Sequence, residues 1–395
     1  MVSVRTGLDR LIADPDHWLR GRKIGFLGHA ASVDRELRLA SSFLRHYSGE
    51  NFLFLFGPEH GFYGQAQDME GVDGSRDPLT GLPVLSLYGS AEEQLWPAQE
   101  ALSQVDLLVI DLQDVGTRYY TFAWTALASL ETAARTNTQV LVCDRPNPID
   151  GVTVEGGGIT SGYESFVGRH DVAVRHGMTI AELLTLCVSE LSLDVDLHVL
   201  PMEGWRRTMH FGDTALPWVL PSPNMPSEQT AAVYPGMCLV EGTRLSEGRG
   251  TTRPFEWFGA PYIDPGRLAR AMDAAALPGV AFRPTFFKPS FHKHANRTCG
   301  GVQIHVRDRL RFQPYRTAVA LLMAVRRLWP QHFAWRTEPY EFVSDRLAID
   351  LLSGSDVLRR TIEEGGTLAD LVPTWSSHEA EFRLRRRPHL LYSEE

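Results

Sequence analysis

Four short runs in the first part of the chain are almost wholly apolar: Lys23–Leu27, Phe52–Phe56, Leu107–Leu112 and Val140–Cys143. A strand that leaves one face in water alternates apolar and polar residues. A strand covered on both faces reads as a near-continuous apolar run, so these four predict interior strands of a parallel sheet. Between the last two, Ala123–Ala134 carries small and apolar residues at i, i+4 spacing and predicts the crossover helix that parallel strands need. Val195–Leu200 predicts a further strand. The segment 216–226 holds four prolines, which exclude helix and favour a stiff, extended loop. Further on, a turn-rich block over 241–252 precedes a helix at Pro265–Ala275, a strand at Gly301–Val306 and a helix with its entry over Leu310–Trp329. These elements predict an α/β chain in two domains, 1–230 and 231–395, with no internal repeat.

Ligands of open α/β sheets bind beyond the carboxyl ends of the strands, so the residues after each run carry the search for chemistry. After Phe56 comes Gly57-Pro58-Glu59-His60-Gly61. After Ile110 comes Asp111-Leu112-Gln113-Asp114-Val115-Gly116-Thr117-Arg118-Tyr119-Tyr120, and after Cys143 comes Asp144-Arg145-Pro146-Asn147-Pro148. Carboxylates, amides, arginines and tyrosines therefore gather at one edge of the predicted sheet.

Composition narrows what this edge can act on. The formal net charge of −9 gives no basic footprint, which argues against nucleic acid or an anionic membrane as partner and favours a small polar or carbohydrate substrate. At 395 residues the chain exceeds the usual single-domain range. The four cysteines, Cys143, Cys187, Cys238 and Cys299, have no CxxC spacing and read as buried reduced thiols rather than a zinc or redox motif. No apolar stretch approaches the ~20 residues that span a bilayer, and the first residues lack the apolar core of a secretory signal, so the sequence reads as cytoplasmic unless a leader was removed.

Glu59 is the leading catalytic candidate, because Pro58 stiffens its entry and Gly61 permits a sharp exit, which can hold a carboxyl group in a cleft. Cleaving a glycosidic bond requires an acid at the leaving oxygen, and a buried Glu serves when its pKa is raised. Asp111 or Asp114 is the candidate second carboxylate, as a base or as the group that orients a substrate amide; helix capping or pairing with Arg118 is the structural alternative. Arg118 and Arg145 offer planar cations for a substrate carboxylate, Tyr119 and Tyr120 offer faces for sugar rings, and Asn147 adds a donor. His29, His60 and His176 raise a metal-dependent hydrolase as a rival, but no HxH or HExxH spacing supports a ligand set. Ser222 and Ser246 do not lie in a GxSxG elbow, and the glycines around Arg249 lack the lysine of a phosphate loop.

Taken together, these motifs resemble the exo-β-N-acetylmuramidase family of the NamZ type. The resemblance rests on Gly57-Pro58-Glu59-His60-Gly61, Thr80-Gly81-Leu82-Pro83-Val84 with Ser86-Leu87-Tyr88-Gly89, and Asp114 through Thr121. It continues through Asp144-Arg145-Pro146-Asn147-Pro148-Ile149, Val154-Glu155-Gly156, Arg175-His176-Gly177-Met178-Thr179, Pro221-Ser222-Pro223-Asn224-Met225-Pro226, Glu241-Gly242-Thr243 and Ser246 through Thr252, with a looser likeness up to Leu390-Leu391-Tyr392. It implies a Rossmann-like catalytic domain that uses no nucleotide, with a smaller C-terminal α/β domain completing the cleft. The first strand is followed by Gly28-His29-Ala30-Ala31-Ser32, without the GxGxxG that a dinucleotide needs.

The resemblance carries the family's catalytic glutamate onto Glu59 and implies no cofactor and no metal. The expected substrate-binding set is His60, Gln113, Arg118, Tyr119, Tyr120, Arg145, Asn147, His176, Asn224, Glu247 and Arg249. His29 and Arg244 depart from the family pattern, and a proline is missing near Asp171-Val172-Ala173-Val174; these changes bear on which aglycone is accepted. The implied activity is release of terminal N-acetylmuramic acid from the non-reducing end of peptidoglycan fragments. A sugar-binding module without turnover would bind and release nothing, and a metal-dependent hydrolase would fail in chelator.

Overall fold

In the computed structural model, which describes residues 3–393, the four apolar runs become neighbouring strands of one sheet. Its strands are β1 (Ile24–Gly28), β2 (Phe52–Gly57), β3 (Ser75–Arg76), β4 (Pro83–Ser86), β5 (Leu107–Asp111), β6 (Gln139–Cys143) and β7 (Leu197–Leu200), in the spatial order β3-β4-β2-β1-β5-β6-β7. All neighbours pair in parallel except β3 with β4. Every residue of β1 and β5 is buried, as strands covered on both faces require. The chain first builds outward from β1 through β2 and β4, then crosses back to lay β5 on its other side. That reversal leaves a crevice beyond the carboxyl ends of β1, β2 and β5.

The crossover helix runs over Phe122–Thr136, enclosing the expected Ala123–Ala134, and buries a broad face. Its interior hydroxyls cost little there, because Thr125, Ser129, Thr132 and Thr136 each donate to the carbonyl four residues earlier. The helix stops at Asn137, whose left-handed backbone (φ 53°) turns the chain toward β6.

The second half carries a separate antiparallel sheet of β8 (Trp257–Ala260), β9 (Val280–Phe287) and β10 (Cys299–Val306), with β10 in the middle. The expected strand at Gly301–Val306 is the inner part of β10, and the expected helices appear as Pro265–Ala274 and Pro314–Leu328. Three more helices follow, Ala348–Ser353, Val357–Glu363 and Leu368–Arg386. One contiguous apolar cluster contains Leu27 and Ile110 of the first sheet together with Phe258 and Val302 of the second, so the halves share a core. The chain then returns to its first half. Arg386 donates to the carbonyls of Gly151, Val152, His176 and Gly177, and the Tyr392 hydroxyl donates to Asp144 at 2.5 Å while accepting from the Met202 N–H. Among the described residues no helix is long and apolar enough to cross a membrane, and all four cysteines are buried and free.

Candidate active site

The loop after β2 is forced into a tight reversal by two successive left-handed residues, His60 (φ 72°) and Gly61 (φ 79°). The Gly61 N–H donates to the Pro58 carbonyl and the Ala66 N–H to the His60 carbonyl, while the His60 ring donates to Ala66. This fold-back delivers the Met69 N–H to Glu59 Oε1 at 3.3 Å. From the start of the crossover helix, the Thr121 hydroxyl reaches Glu59 Oε2 at 2.7 Å. Glu59 is thus a nearly buried carboxyl, 5% exposed, fixed from two sides in the crevice of the sheet.

The proline-rich segment 216–226 closes another wall, and His29 locks it in place. His29 Nε2 accepts from the Gln113 N–H at 2.9 Å, so its proton sits on Nδ1, which donates to the Pro221 carbonyl at 3.2 Å. Burial, with help from the Arg145 charge, pushes its pKa down to about 3 and keeps the ring neutral. The anchored segment presents Asn224, whose amide donates to Gln67 at 2.9 Å.

The remaining walls come from the second half. Tyr340 and Val343 exchange backbone hydrogen bonds at 2.9 Å across a two-residue turn, and both turn residues, Glu341 (φ 45°) and Phe342 (φ 68°), lie in the left-handed region. Such turns ordinarily use Asn and Gly. Here one turn residue is a buried Glu whose carboxyl accepts from the Tyr88 hydroxyl at 3.0 Å. Burial, followed by the Glu59 carboxylate, pushes the Glu341 carboxyl well above the usual carboxylate range.

Beside this turn lies a web of charges around Arg249, which reaches Glu241 at 2.8 Å, Asp68 at 3.3 Å and Glu247 at 3.6 Å. Lys293 holds the other Glu247 oxygen at 2.9 Å, and His292 lies between Glu247 (3.2 Å) and Asp68 (3.5 Å). Burial opposes the charge on Glu247, but Lys293, His292 and Arg249 hold its pKa down to about 2. Burial likewise disfavours a charged His292, yet Asp68 and Glu247 hold it up to about 9.

Glu59, His60, Tyr119, Tyr120, Asn224 and Arg249 line one cavity, with Asp68, Glu241, Tyr340 and Glu341 completing it. The free volume is about 40 Å³. Pockets for small organic ligands are on the order of hundreds of Å³, so a sugar enters only when these walls part.

The structure divides the expected site residues. Six line the cavity as just described, and Glu247 braces Arg249 from behind. Asp114 sits one layer deeper: its Oδ2 accepts from the Gly116 N–H at 2.6 Å and lies 3.5 Å from His176 Nε2, and neither residue lines the cavity.

The others make buried contacts away from this cavity. Asp111 is fully buried and bidentate with Arg145, at 2.5 and 2.7 Å, so each consumes the other. Arg118 donates to the carbonyls of Gly157, Val172 and Leu352, tying loops of the first half to the helix Ala348–Ser353. Gln113 bonds the carbonyls of Asp114 and Pro146, Asn147 bonds Met178 and Ile149, and His176 accepts from the Met178 N–H. Arg118 and Arg145, expected to meet a substrate carboxylate, do not line the cavity, whereas Arg249 does. Sequence reasoning missed Glu341 and Asp68, which stand in no chemical pattern, and passed over Tyr88, Thr121 and Glu241, which lie inside the motifs quoted above. Among the described residues no group of three or more His, Cys, Asp or Glu side chains is placed to share a metal ion.

Residues 24–229 match the family described as "Exo-beta-N-acetylmuramidase NamZ, N-terminal", and residues 232–392 match its C-terminal counterpart. The peptidoglycan beta-N-acetylmuramidase NamZ of Bacillus subtilis (strain 168) is 40% identical over 389 residues, covering 98% of this chain and 91% of that protein. Two crystal structures of DUF1343 family proteins from Bacteroides fragilis superpose over 100% of both chains, one with a TM-score of 0.88 at 31% identity and one with 0.76 at 26%. With both halves matched in order and a relative of this identity spanning nearly the whole length, the chain belongs to the exo-β-N-acetylmuramidase NamZ family.

Proposed function

We propose that this protein is a glycoside hydrolase that releases terminal N-acetylmuramic acid from the non-reducing end of peptidoglycan fragments, with Glu59 protonating the leaving oxygen. The observation that carries the role of Glu59 is its placement: a carboxyl fixed by Thr121 and Met69 in the switch-point crevice, inside a cavity walled by Tyr119, Tyr120 and Asn224. As the bond from the anomeric carbon breaks, its electron pair stays on the departing oxygen, which takes the proton. Water supplies the hydroxyl at the anomeric carbon, directly or after attack by the sugar's own 2-acetamido oxygen. Arg249, the arginine that lines the cavity, meets the lactyl carboxylate by releasing Asp68, the looser of the partners its terminal nitrogens hold.

The test is incubation with a disaccharide of N-acetylmuramic acid linked to N-acetylglucosamine, with and without chelator. Both monosaccharides should appear under both conditions. Binding without release would leave a sugar-binding module, and loss in chelator with rescue by zinc would leave a metal enzyme. Glu59→Gln should lower kcat by at least ~10²-fold with little change in substrate binding, and the defect should shrink on a glycoside with an activated phenolate leaving group. Wild-type turnover of both substrates by a folded variant would remove Glu59 from the reaction.

A further inference from the structure

We propose that Glu341 is the second carboxyl of the reaction, forming with Glu59 a pair that holds the single proton the glycosidic oxygen receives. This rests on the reading of Glu59 as proton donor and assigns that donor a partner from the other half of the chain.

Three observations carry it. The first is backbone geometry: Glu341 and Phe342 both have positive φ in a turn that exchanges two hydrogen bonds, a conformation that side chains other than Gly and Asn adopt reluctantly. Strain of this kind is retained where the surroundings demand a particular side chain at a particular point. The second is coordination. Glu341 Oε2 accepts from the Tyr88 hydroxyl at 3.0 Å, whereas among the described residues no donor reaches Oε1, and the residue lines the cavity with Glu59.

The third observation is the charge around it. Glu59 from the loop after β2, Asp68 farther along that loop and Glu241 beside the turn share the cavity with Glu341 and oppose its charge, Tyr88 after β4 bonds it, and His60 and Arg249 are the basic groups of the same lining. Arg249, the arginine of this cavity, pairs with Asp68, Glu241 and Glu247, and among the described residues no Lys, Arg or His forms an ion pair with Glu341. Two nearly buried carboxyls in one cavity, 5% exposed each, resist ionising together, and burial with the Glu59 charge holds Glu341 well above the usual carboxylate range, so Glu341 keeps its proton. Glu59 accepts hydrogen bonds on both oxygens, and Glu341 carries the proton until substrate arrives, then passes it to the leaving oxygen through Glu59. In the reaction the proton passes from the pair to the leaving oxygen as the bond to the anomeric carbon breaks. Water's oxygen then bonds to that carbon, and the proton it releases returns to the pair.

The pH profile of kcat reads this directly. In the wild type, kcat should fall on the alkaline side as the pair loses its proton. Glu341→Gln removes the carboxyl that holds the pair's proton at rest, so the alkaline limb should move at least one pH unit lower. The variant should be at least ~10-fold slower at pH 7, recover toward wild type near pH 5, and keep its KM. Glu341→Asp keeps a carboxyl and should shift the limb less.

An unmoved limb with kcat lowered equally at every pH would make Glu341 a structural wall and overturn the proposal, while Glu59→Gln inactivity would leave the Glu59 reading standing. The reverse pattern, Glu59→Gln active and Glu341→Gln dead throughout, would overturn both. A readout that does not depend on a folded variant is carbon NMR of labelled glutamate carboxyls in the wild type. One cavity carboxyl should titrate at least two units above the ordinary ~4.3, and two midpoints near that value would overturn the pair.

Discussion

Replacing Asp111 with Asn separates a structural carboxylate from a catalytic one. Asp111 accepts two hydrogen bonds from Arg145, which also donates to the Val33 carbonyl at 2.8 Å, and both side chains are buried. Asn keeps the shape but removes the charge, which strands the Arg145 guanidinium without compensation in the interior. Breaking a buried pair in this way costs about 3–5 kcal/mol. At about 2–4 °C per kcal/mol for a domain of this size, Tm should fall by roughly 6–20 °C. A group taking part in bond cleavage would instead cost at least ~10² in kcat, about 2.7 kcal/mol on the activation barrier.

The assay pairs calorimetric Tm with kcat measured on the folded enzyme well below the transition. The expected result is a large drop in Tm with kcat within a few fold of wild type. The double variant Asp111→Leu with Arg145→Met should recover most of the lost stability, because well-packed apolar residues can replace a buried ion pair at little cost. A ~10²-fold loss of kcat at unchanged Tm would refute the argument and return Asp111 to the reaction.

Three further outcomes follow from the geometry. Arg249→Lys loses the planar fork, so kcat/KM for an N-acetylmuramic acid glycoside should fall at least ~10-fold relative to the same glycoside without its lactyl group; an unchanged ratio would remove Arg249 from carboxylate recognition. His292, raised from 6.5 to about 9, contributes stability that is fully present below pH 6.5 and lost as pH rises through about 9. After screening this is roughly 1–2 kcal/mol, so the Tm gap between wild type and His292→Gln should be widest near pH 6 and close by pH 10. Gly116→Ala places a Cβ 2.4 Å from Asn147 Oδ1 at a backbone φ of 78°, and should cost at least ~2 kcal/mol in urea unfolding; an unshifted midpoint would show that this loop yields easily.

The sheet's interior was legible because burial on two faces leaves a local mark, an unbroken apolar run. Strands without that mark escaped notice. The strand β3 is two residues long, β4 begins at Pro83, and β9 contains Pro284, which argues against a strand until the sheet order shows β9 at an edge where a missing N–H costs nothing. At the site, Glu59 stood out because Pro58 and Gly61 advertise a rigid turn within five residues. The arginines misled because sequence shows a cation but not its partner: Arg145 meets Asp111 across 34 positions, and Arg118 is spent on carbonyls, one of them 234 residues away. Glu341 is illegible for the same reason, since its neighbours Tyr88 and Glu59 lie more than 250 residues upstream.

The return of the chain to its starting half has a mechanical consequence. The second half leaves the first near the helix Glu228–Met237, is tied back to it by Arg118 and Glu155 on the way, and returns through Arg386 and Tyr392, so the two halves are stitched along their length around one core. The last stitches span 210 and 248 positions and occupy buried carbonyls and a carboxylate of the first half. Cutting the chain before Arg386 would leave those groups without their partners, so its final residues secure the fold of its beginning.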